Sequence, residues 1–222
     1  MKWKLLVGKL LVTPLVVFFV NGIFVFLQPQ VFASVMNLIT IVLLNLFFFA
    51  DLLIRPPVLG GEKDRYKATI LVVFFLVCPL LVYMPYLEFT SLLKQNISAI
   101  LVSILGIIGI ITLVCGGIVL ITSRIIIGSY GSPKIIIKEQ HKLITRGPYR
   151  YIRHPIYLGD LLLFFGYALA FGSIISPIVI LVILFSIFKS RMNMEEKLLL
   201  ETFGEEYKEY MARTKRLIPY VF

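Results

Sequence analysis

Apolar residues gather along this chain into five long runs: Leu10–Leu27, Val31–Ile54, Ala68–Leu87, Ile97–Ile121 and Ile156–Phe188. Four of them are close to the roughly 20 residues that carry a helix across a bilayer. The fifth has 33 residues, too many for one crossing and enough for two short ones. Its middle reads Gly172-Ser173-Ile174-Ile175-Ser176-Pro177, which is turn chemistry. The pattern therefore predicts an all-α polytopic membrane bundle of about six segments, with a helical hairpin over 156–188.

Composition supports the membrane and excludes the rest. Of 222 residues, 59% are apolar and 15% charged, where soluble domains have about 45–50% and about 25%. The mean hydropathy is +0.95. A soluble domain of this size could not hide so much apolar surface. Disorder, collagen, coiled coil and a disulfide scaffold are excluded by the same figures. Cys78 and Cys115 both lie inside apolar runs and are expected as buried thiols. Neither histidine has a metal-site spacing, so no metal is expected.

The net charge of +10 comes from 22 lysines and arginines against 12 acids, and its placement is informative. The basic residues number 3 in 1–9, none in 28–30, 4 in 55–67, 1 in 88–96, 7 in 122–155, none at the hairpin tip and 7 in 189–222. High and low values alternate, which by the positive-inside rule puts both termini in the cytoplasm. That topology, together with anionic lipid, accounts for the basic excess without nucleic acid. The alternation needs the first segment, so Leu10–Leu27 is read as a retained span although Val31-Phe32-Ala33 resembles a cleavage site. Asn96-Ile97-Ser98 fits a glycosylation sequon, a match short enough to be chance.

Two polar stretches are large enough to build a site, 122–155 and 189–222, and they flank the hairpin. The first holds Gly128, Gly131-Ser132-Pro133, Lys134, the β-branched Ile135–Ile137 (a short strand or extended chain) and His141 through Pro155. Gly147-Pro148 marks a turn, and Pro155 is placed to begin the first hairpin helix. The second is helical in composition from Arg191 to about Arg213, with Leu199, Phe203, Tyr207 and Tyr210 on one stripe. A cytoplasmic cofactor pocket is thus expected between loop 134–155 and helix 189–213. The division that follows is 1–121 as transmembrane helices 1–4 and 122–222 as a core with a membrane hairpin and an amphipathic carboxyl-terminal helix.

Single residues admit plain readings as well. Arg191 and Glu195 at i, i+4 are an ordinary helix-surface pair, worth about 0.3–0.5 kcal/mol, unless their place beyond a membrane helix makes them a site. His154 reads equally as an interfacial histidine, and Tyr149, Tyr151 and Tyr157 as an aromatic belt. Asp160, four residues into the hairpin, leans towards function because an acid in lipid needs a partner. Asp51 stands four residues before Arg55, where a helix-end pair suffices.

The runs His141-Lys142-Leu143-Ile144-Thr145, Gly147-Pro148-Tyr149 and Arg153-His154-Pro155-Ile156-Tyr157-Leu158-Gly159 resemble the cofactor motif of isoprenylcysteine carboxyl methyltransferases. Wider relatives include membrane phospholipid N-methyltransferases. A second block is similar too: Arg191, Glu195-Glu196, Phe203-Gly204-Glu205-Glu206-Tyr207, Tyr210 and Arg216-Leu217-Ile218-Pro219. The resemblance covers roughly 134–222. It implies a methyltransferase using S-adenosylmethionine, held by His141, Lys142, Leu143, Ile144, Tyr149, His154, Pro155, Ile156, Tyr157 and Glu195. It implies Arg191 as the catalytic, substrate-side arginine, and leaves Lys134 aside because some members have a neutral amide there. A glutamate suits the cofactor's cationic or hydroxyl-bearing end, and histidine and backbone N–H groups suit its carboxylate. No G-x-G-x-x-G occurs, so loops and helix ends, rather than a Rossmann-like sheet, must do the holding.

The expected reaction is methylation of a lipophilic or prenylated acceptor at the cytoplasmic face of a plasma or endoplasmic reticulum membrane, with membrane lipids as neighbours. An isoprenylcysteine-like carboxylate is already ionised and needs no base, and Arg191 would orient it. A phospholipid or other amine would need a proton removed, with Glu196 or Asp160 as conceivable bases. Two further readings are a nicotinamide-dependent membrane reductase, through the shared Arg-His-Pro-x-Tyr run, and a transporter or scaffold. The Arg191–Glu196 block argues against the former, and the want of an internal repeat against the latter.

Overall fold

The computed structural model describes residues 34–54, 83–85, 87–88, 98–131 and 142–218. Five α-helices lie within them: α1 (Val35–Ile54), α2 (Ala99–Ile127), α3 (Pro155–Ala170), α4 (Ile175–Phe203) and α5 (Glu205–Arg213). Three helices, α1, α2 with its 3-10 extension to Tyr130, and α4, are long and apolar enough to cross a membrane, and α3 is a shorter apolar helix. The protein is therefore an integral membrane protein built from helices. The run at 10–27 and most of that at 68–87 lie outside the described residues, as do 135–137.

The predicted hairpin is present as α3 and α4, joined through Phe171–Ile174. Gly172 has φ +72°, a left-handed conformation that a side chain disfavours. Ser176 and Pro177 belong to the first turn of α4 rather than to the turn itself, a place where proline's missing N–H costs nothing.

Packing is closest between α2 and the antiparallel α3. A Cβ added at Gly116 would come within 2.5 Å of the Leu163 nitrogen, and one at Gly159 within 2.7 Å of the Leu120 nitrogen. Gly109 meets the Ala170 backbone and Gly166 the Leu113 backbone in the same way. Lipid is as apolar as leucine, so membrane helices associate through close van der Waals contact at small residues. Gly117, next to Gly116 but turned to another neighbour, accepts the Phe47 ring of α1. Leu113, Leu163, Tyr167, Ile180 and Met192 form the buried centre. Outside, Ile104, Ile107, Ile111 and Ile118 of α2 and Ile178 and Val182 of α4 are exposed, as a lipid-facing surface requires. Cys115 shares that outward face as a free, exposed thiol, not the buried one expected; it lies on the side of α2 away from the glycine seam.

Helix α4 is 29 residues long, about 43 Å at 1.5 Å per residue, against a hydrocarbon core of about 30 Å. Its apolar part ends at Phe188. Lys189, Arg191, Glu195, Glu196 and Lys197 follow, so this last part projects beyond the membrane. The expected single helix 189–213 is broken: Gly204 takes φ +52° and starts α5 in a new direction. Tyr207 and Tyr210 of the predicted stripe are buried, whereas Leu199 and Phe203 are only half-buried.

At the opposite end of the bundle, Glu88 caps α4. Ile174, which precedes the helix, has no capping side chain. Instead the Glu88 carboxylate accepts from the backbone N–H groups of Ile174 (2.7 Å), Ile175 (3.0 Å) and Ser176 (2.7 Å) and from the Ser176 hydroxyl (2.6 Å). Burial acts to raise this carboxyl's pKa, but the hydrogen bonds from Ser176 and the backbone hold it below the usual value. Glu88→Ala is expected to cost about 1–2 kcal/mol, as for a lost helix cap. In the wild type the same contribution is complete above the unfolded carboxyl pKa of about 4.3 and is lost as pH falls through the lower folded value. Thermal unfolding of the detergent-solubilised pair at pH 7 and below 4 checks both: the variants should differ at pH 7 and converge in acid.

Candidate active site

The site stands where the polar ends of α2, α3 and α4 meet the chain before α3. Gly147, at φ +59°, opens a short 3-10 turn, Gly147–Arg150. Tyr149 is buried there; its carbonyl accepts from the Tyr210 hydroxyl at 2.6 Å, which ties the loop to α5. Burial pushes the hydroxyls of Tyr149, Tyr207 and Tyr210 well up, so they stay protonated. Residues 152–154 then run extended beside the tail that follows α5. Ile152 bridges Lys215 in parallel, Arg153 N–H donates to the Lys215 carbonyl (2.7 Å) and His154 N–H to that of Arg216 (3.0 Å). Pro155 occupies the first position of α3, where its fixed φ suits the helix.

Two neighbouring glutamates of α4 organise the side chains. Glu196 is 3% exposed and holds three cation-forming groups. Its Oε1 accepts from Arg153 Nε (2.9 Å) and faces His154 Nε2 (3.1 Å), and its Oε2 accepts from Arg216 Nη2 (2.6 Å) and Nε (3.1 Å). Arg153 also donates through Nη1 to the carbonyls of Met211 and Thr214. Burial alone would raise the Glu196 pKa, but the bonds from His154, Arg153 and Arg216 overcome this and draw it down to about 2. A carboxylate so held is an anchor and a poor proton acceptor, which removes it as the base considered for an amine acceptor.

Glu195 faces the other way. Its Oε1 accepts from the Tyr157 hydroxyl in a short bond and lies 3.5 Å from Arg191 Nη2, while Arg191 Nε donates to the Tyr157 oxygen at 3.1 Å. Its Oε2 stands 3.7 Å from His154 Nδ1. The His154 and Tyr157 rings stack at 5.7 Å, and those of Tyr157 and Phe188 at 4.7 Å. The stack runs from the polar end towards the apolar part of α4. The residues expected from sequence thus divide. His154, Pro155, Ile156, Tyr157, Arg191 and Glu195 come together, and Tyr149 underpins them. Lys142 is exposed and Leu143 and Ile144 half-buried on the approach to the turn. His141 and Lys134 lie outside the described residues.

A buried ion pair lies behind the loop. Arg124 of α2 donates through Nε to Asp51 Oδ1 of α1 at 2.6 Å and through Nη1 to the Gly131 carbonyl at 3.1 Å. Asp51 thus has a partner on another helix, because α1 and α2 bring their same ends together, while Arg55, the helix-end partner expected for it, lies outside the described residues. Arg153 and Arg216 stood in the two motif blocks but were not legible as partners of Glu196, and for Arg124 the only signal was a charged residue beside an apolar run.

These groups suit S-adenosylmethionine. A partly exposed carboxylate, an imidazole and a tyrosine hydroxyl converge beside stacked rings, matching a ligand with cationic, hydroxyl and apolar parts.

Residues 104–206 match the phospholipid methyltransferase family. Curated relatives agree. A probable protein-S-isoprenylcysteine O-methyltransferase of Oryza sativa subsp. indica is 35% identical over 88 residues, 40% of this chain and 46% of the rice protein. Protein-S-isoprenylcysteine O-methyltransferase B of Arabidopsis thaliana is 38% identical over 88 residues, 40% of this chain and 45% of that one. The chain thus spans about half the length of these relatives. A solved structure of the eukaryotic intramembrane Ras methyltransferase ICMT (isoprenylcysteine carboxyl methyltransferase) shares the fold, with a TM-score of 0.57 at 19% identity over 86% of this chain and 67% of that one. Through its carboxyl-terminal half the chain is therefore similar to isoprenylcysteine carboxyl methyltransferases and to the wider phospholipid methyltransferases.

Proposed function

We propose that the protein is an S-adenosylmethionine-dependent methyltransferase that esterifies the carboxylate of an isoprenylcysteine-like acceptor at the cytoplasmic face of its membrane. The observation that carries this is the Tyr157–Arg191–Glu195 cluster beside His154, at the polar end of an aromatic stack that leads towards the bilayer. In this reading 122–222 form the catalytic core, residues 1–121 frame it, and both termini are cytoplasmic, as the basic loops suggest.

When bound, S-adenosylmethionine supplies an electrophilic methyl group on a sulfonium. The chain's own residues bind and orient. Glu195, His154 and Tyr157, with the loop residues His141–Ile144, Tyr149, Pro155 and Ile156, hold the donor. Arg191 meets the acceptor; a guanidinium has donors enough to keep Tyr157 and Glu195 and to fork onto a carboxylate as well. Because such an acceptor is ionised at neutral pH, positioning and exclusion of water are the whole task. Glu196, locked by three partners, is unsuited to the base that an amine acceptor needs, which takes away one of the two bases, Glu196 and Asp160, open to that reading.

The test is transfer of labelled methyl from S-adenosylmethionine by the purified protein in lipid, against a farnesyl- and geranylgeranylcysteine panel and an aminophospholipid panel. Base-labile label on the prenylcysteines is the expected result. Label on the amine headgroup alone, stable to base, would replace this proposal with the N-methyltransferase one.

A further inference from the structure

The tail after α5 leaves the helix at Thr214 and lies along the loop that carries His154. Three backbone bonds join them, and Arg216 reaches past the loop to Glu196. Glu196 has one oxygen for each side. Oε2 takes both Arg216 contacts, whereas Oε1 takes Arg153 and faces His154. A carboxylate turns about a single soft torsion, so fixing Oε2 fixes where Oε1 points. Because Glu196 is an ionised acceptor, the proton between it and His154 must sit on Nε2. That leaves Nδ1 facing Glu195 and the ligand side. The ring's tautomer and tilt are therefore set by a residue that touches neither ligand.

We infer that Thr214–Leu217 is a strap and that Arg216 is a positioning residue, acting through Glu196 to hold His154 in the orientation the donor site uses. The link to donor binding rests on the function proposed above; the link from Arg216 to the His154 ring does not.

The sequence makes the second link directly readable, since it has two histidines, His141 and His154. Protein labelled with nitrogen-15 histidine, with His141→Gln to assign the signals, reports the ring state. In the full-length wild type the His154 Nε2 signal should be that of a protonated, hydrogen-bonded nitrogen. In Arg216→Gln, which keeps bulk and loses the charge, the two ring nitrogens should move towards averaged shifts. Arg216→Lys should restore the pattern in part. Affinity for S-adenosylmethionine, by calorimetry, should fall about tenfold in Arg216→Gln, the scale of one charge-assisted bond, and recover in part with millimolar guanidinium. Unchanged ring signals in both variants overturn the strap. A wild type with the expected ring signature but no affinity for the donor leaves the strap standing and sinks the functional proposal. If Arg216→Gln does not fold, Arg216→Lys alone decides: ring signals identical to the wild type at a lower melting temperature mean a purely structural tail.

Discussion

Replacing Arg191 by lysine is expected to lower kcat/KM for a prenylcysteine acceptor by about tenfold or more, with a much smaller change in donor affinity. Lysine keeps the charge but not the planar pair of donors, and a hydrogen bond to a charged group is worth about 1.5–3 kcal/mol. It also removes the Nε bond to the Tyr157 oxygen, so the Tyr157–Glu195 pair loses its third member. The pH profile adds a separate reading. A carboxylate acceptor, with a pKa near about 4, gives a rate nearly flat from about pH 6 to 8 apart from enzyme groups, whereas an amine gives one that climbs as its neutral form appears. A climbing rate with a harmless Arg191→Lys would transfer the protein to the amine methyltransferases.

The second large effect concerns the frame. Arg124→Met should destabilise the protein by about 3–5 kcal/mol, because it breaks a buried ion pair by removing one member of it. Asp51→Leu should cost a similar amount. The double variant should recover most of the loss, since removing a buried pair together is often close to neutral. Unfolding of all four forms in mixed micelles closes the cycle, and single variants within about 0.5 kcal/mol of wild type, the usual surface range, would mean that the pair is not what holds α1 to α2. Arg124 also holds the Gly131 carbonyl, at the point where the chain sets out for the donor loop. Its loss is therefore expected to weaken S-adenosylmethionine binding, while Asp51→Leu weakens it less.

Local chemistry was legible in the sequence and long-range pairing was not. The hairpin followed from an overlong apolar run with a glycine and a proline at its middle, and the structure turns there. His154, Tyr157, Arg191 and Glu195 were singled out by the resemblance of two motif blocks to a methyltransferase family, and the structure brings them together. The bend at Gly204 was missed because a glycine inside a helical pattern costs only about 1 kcal/mol and does not by itself enforce a break. Glu196 looked like the spare partner of Glu195. Its role became clear only from Arg153, 43 residues before it, and Arg216, 20 after it. Asp51 was read against Arg55, four residues on, and its bond to Arg124, 73 residues away, was not foreseen. Periodicity carries no information about such pairs; helix packing decides them.

The glycine seam has a consequence for traffic. Where Gly109, Gly116, Gly159 and Gly166 let two backbones touch, an isoprenoid tail has no room to pass. In the proposed reading, an acceptor arriving from lipid cannot pass between α2 and α3, and the apolar half of α4 offers a surface that leads to the site. There Val182 and Phe185 are exposed, and Phe188, one turn nearer the polar end, stacks on Tyr157. Tail length and branching should consequently be discriminated by side chains along the apolar half of α4, and bulk introduced at Val182 or Phe185 should alter which prenyl groups are admitted without touching the donor's affinity.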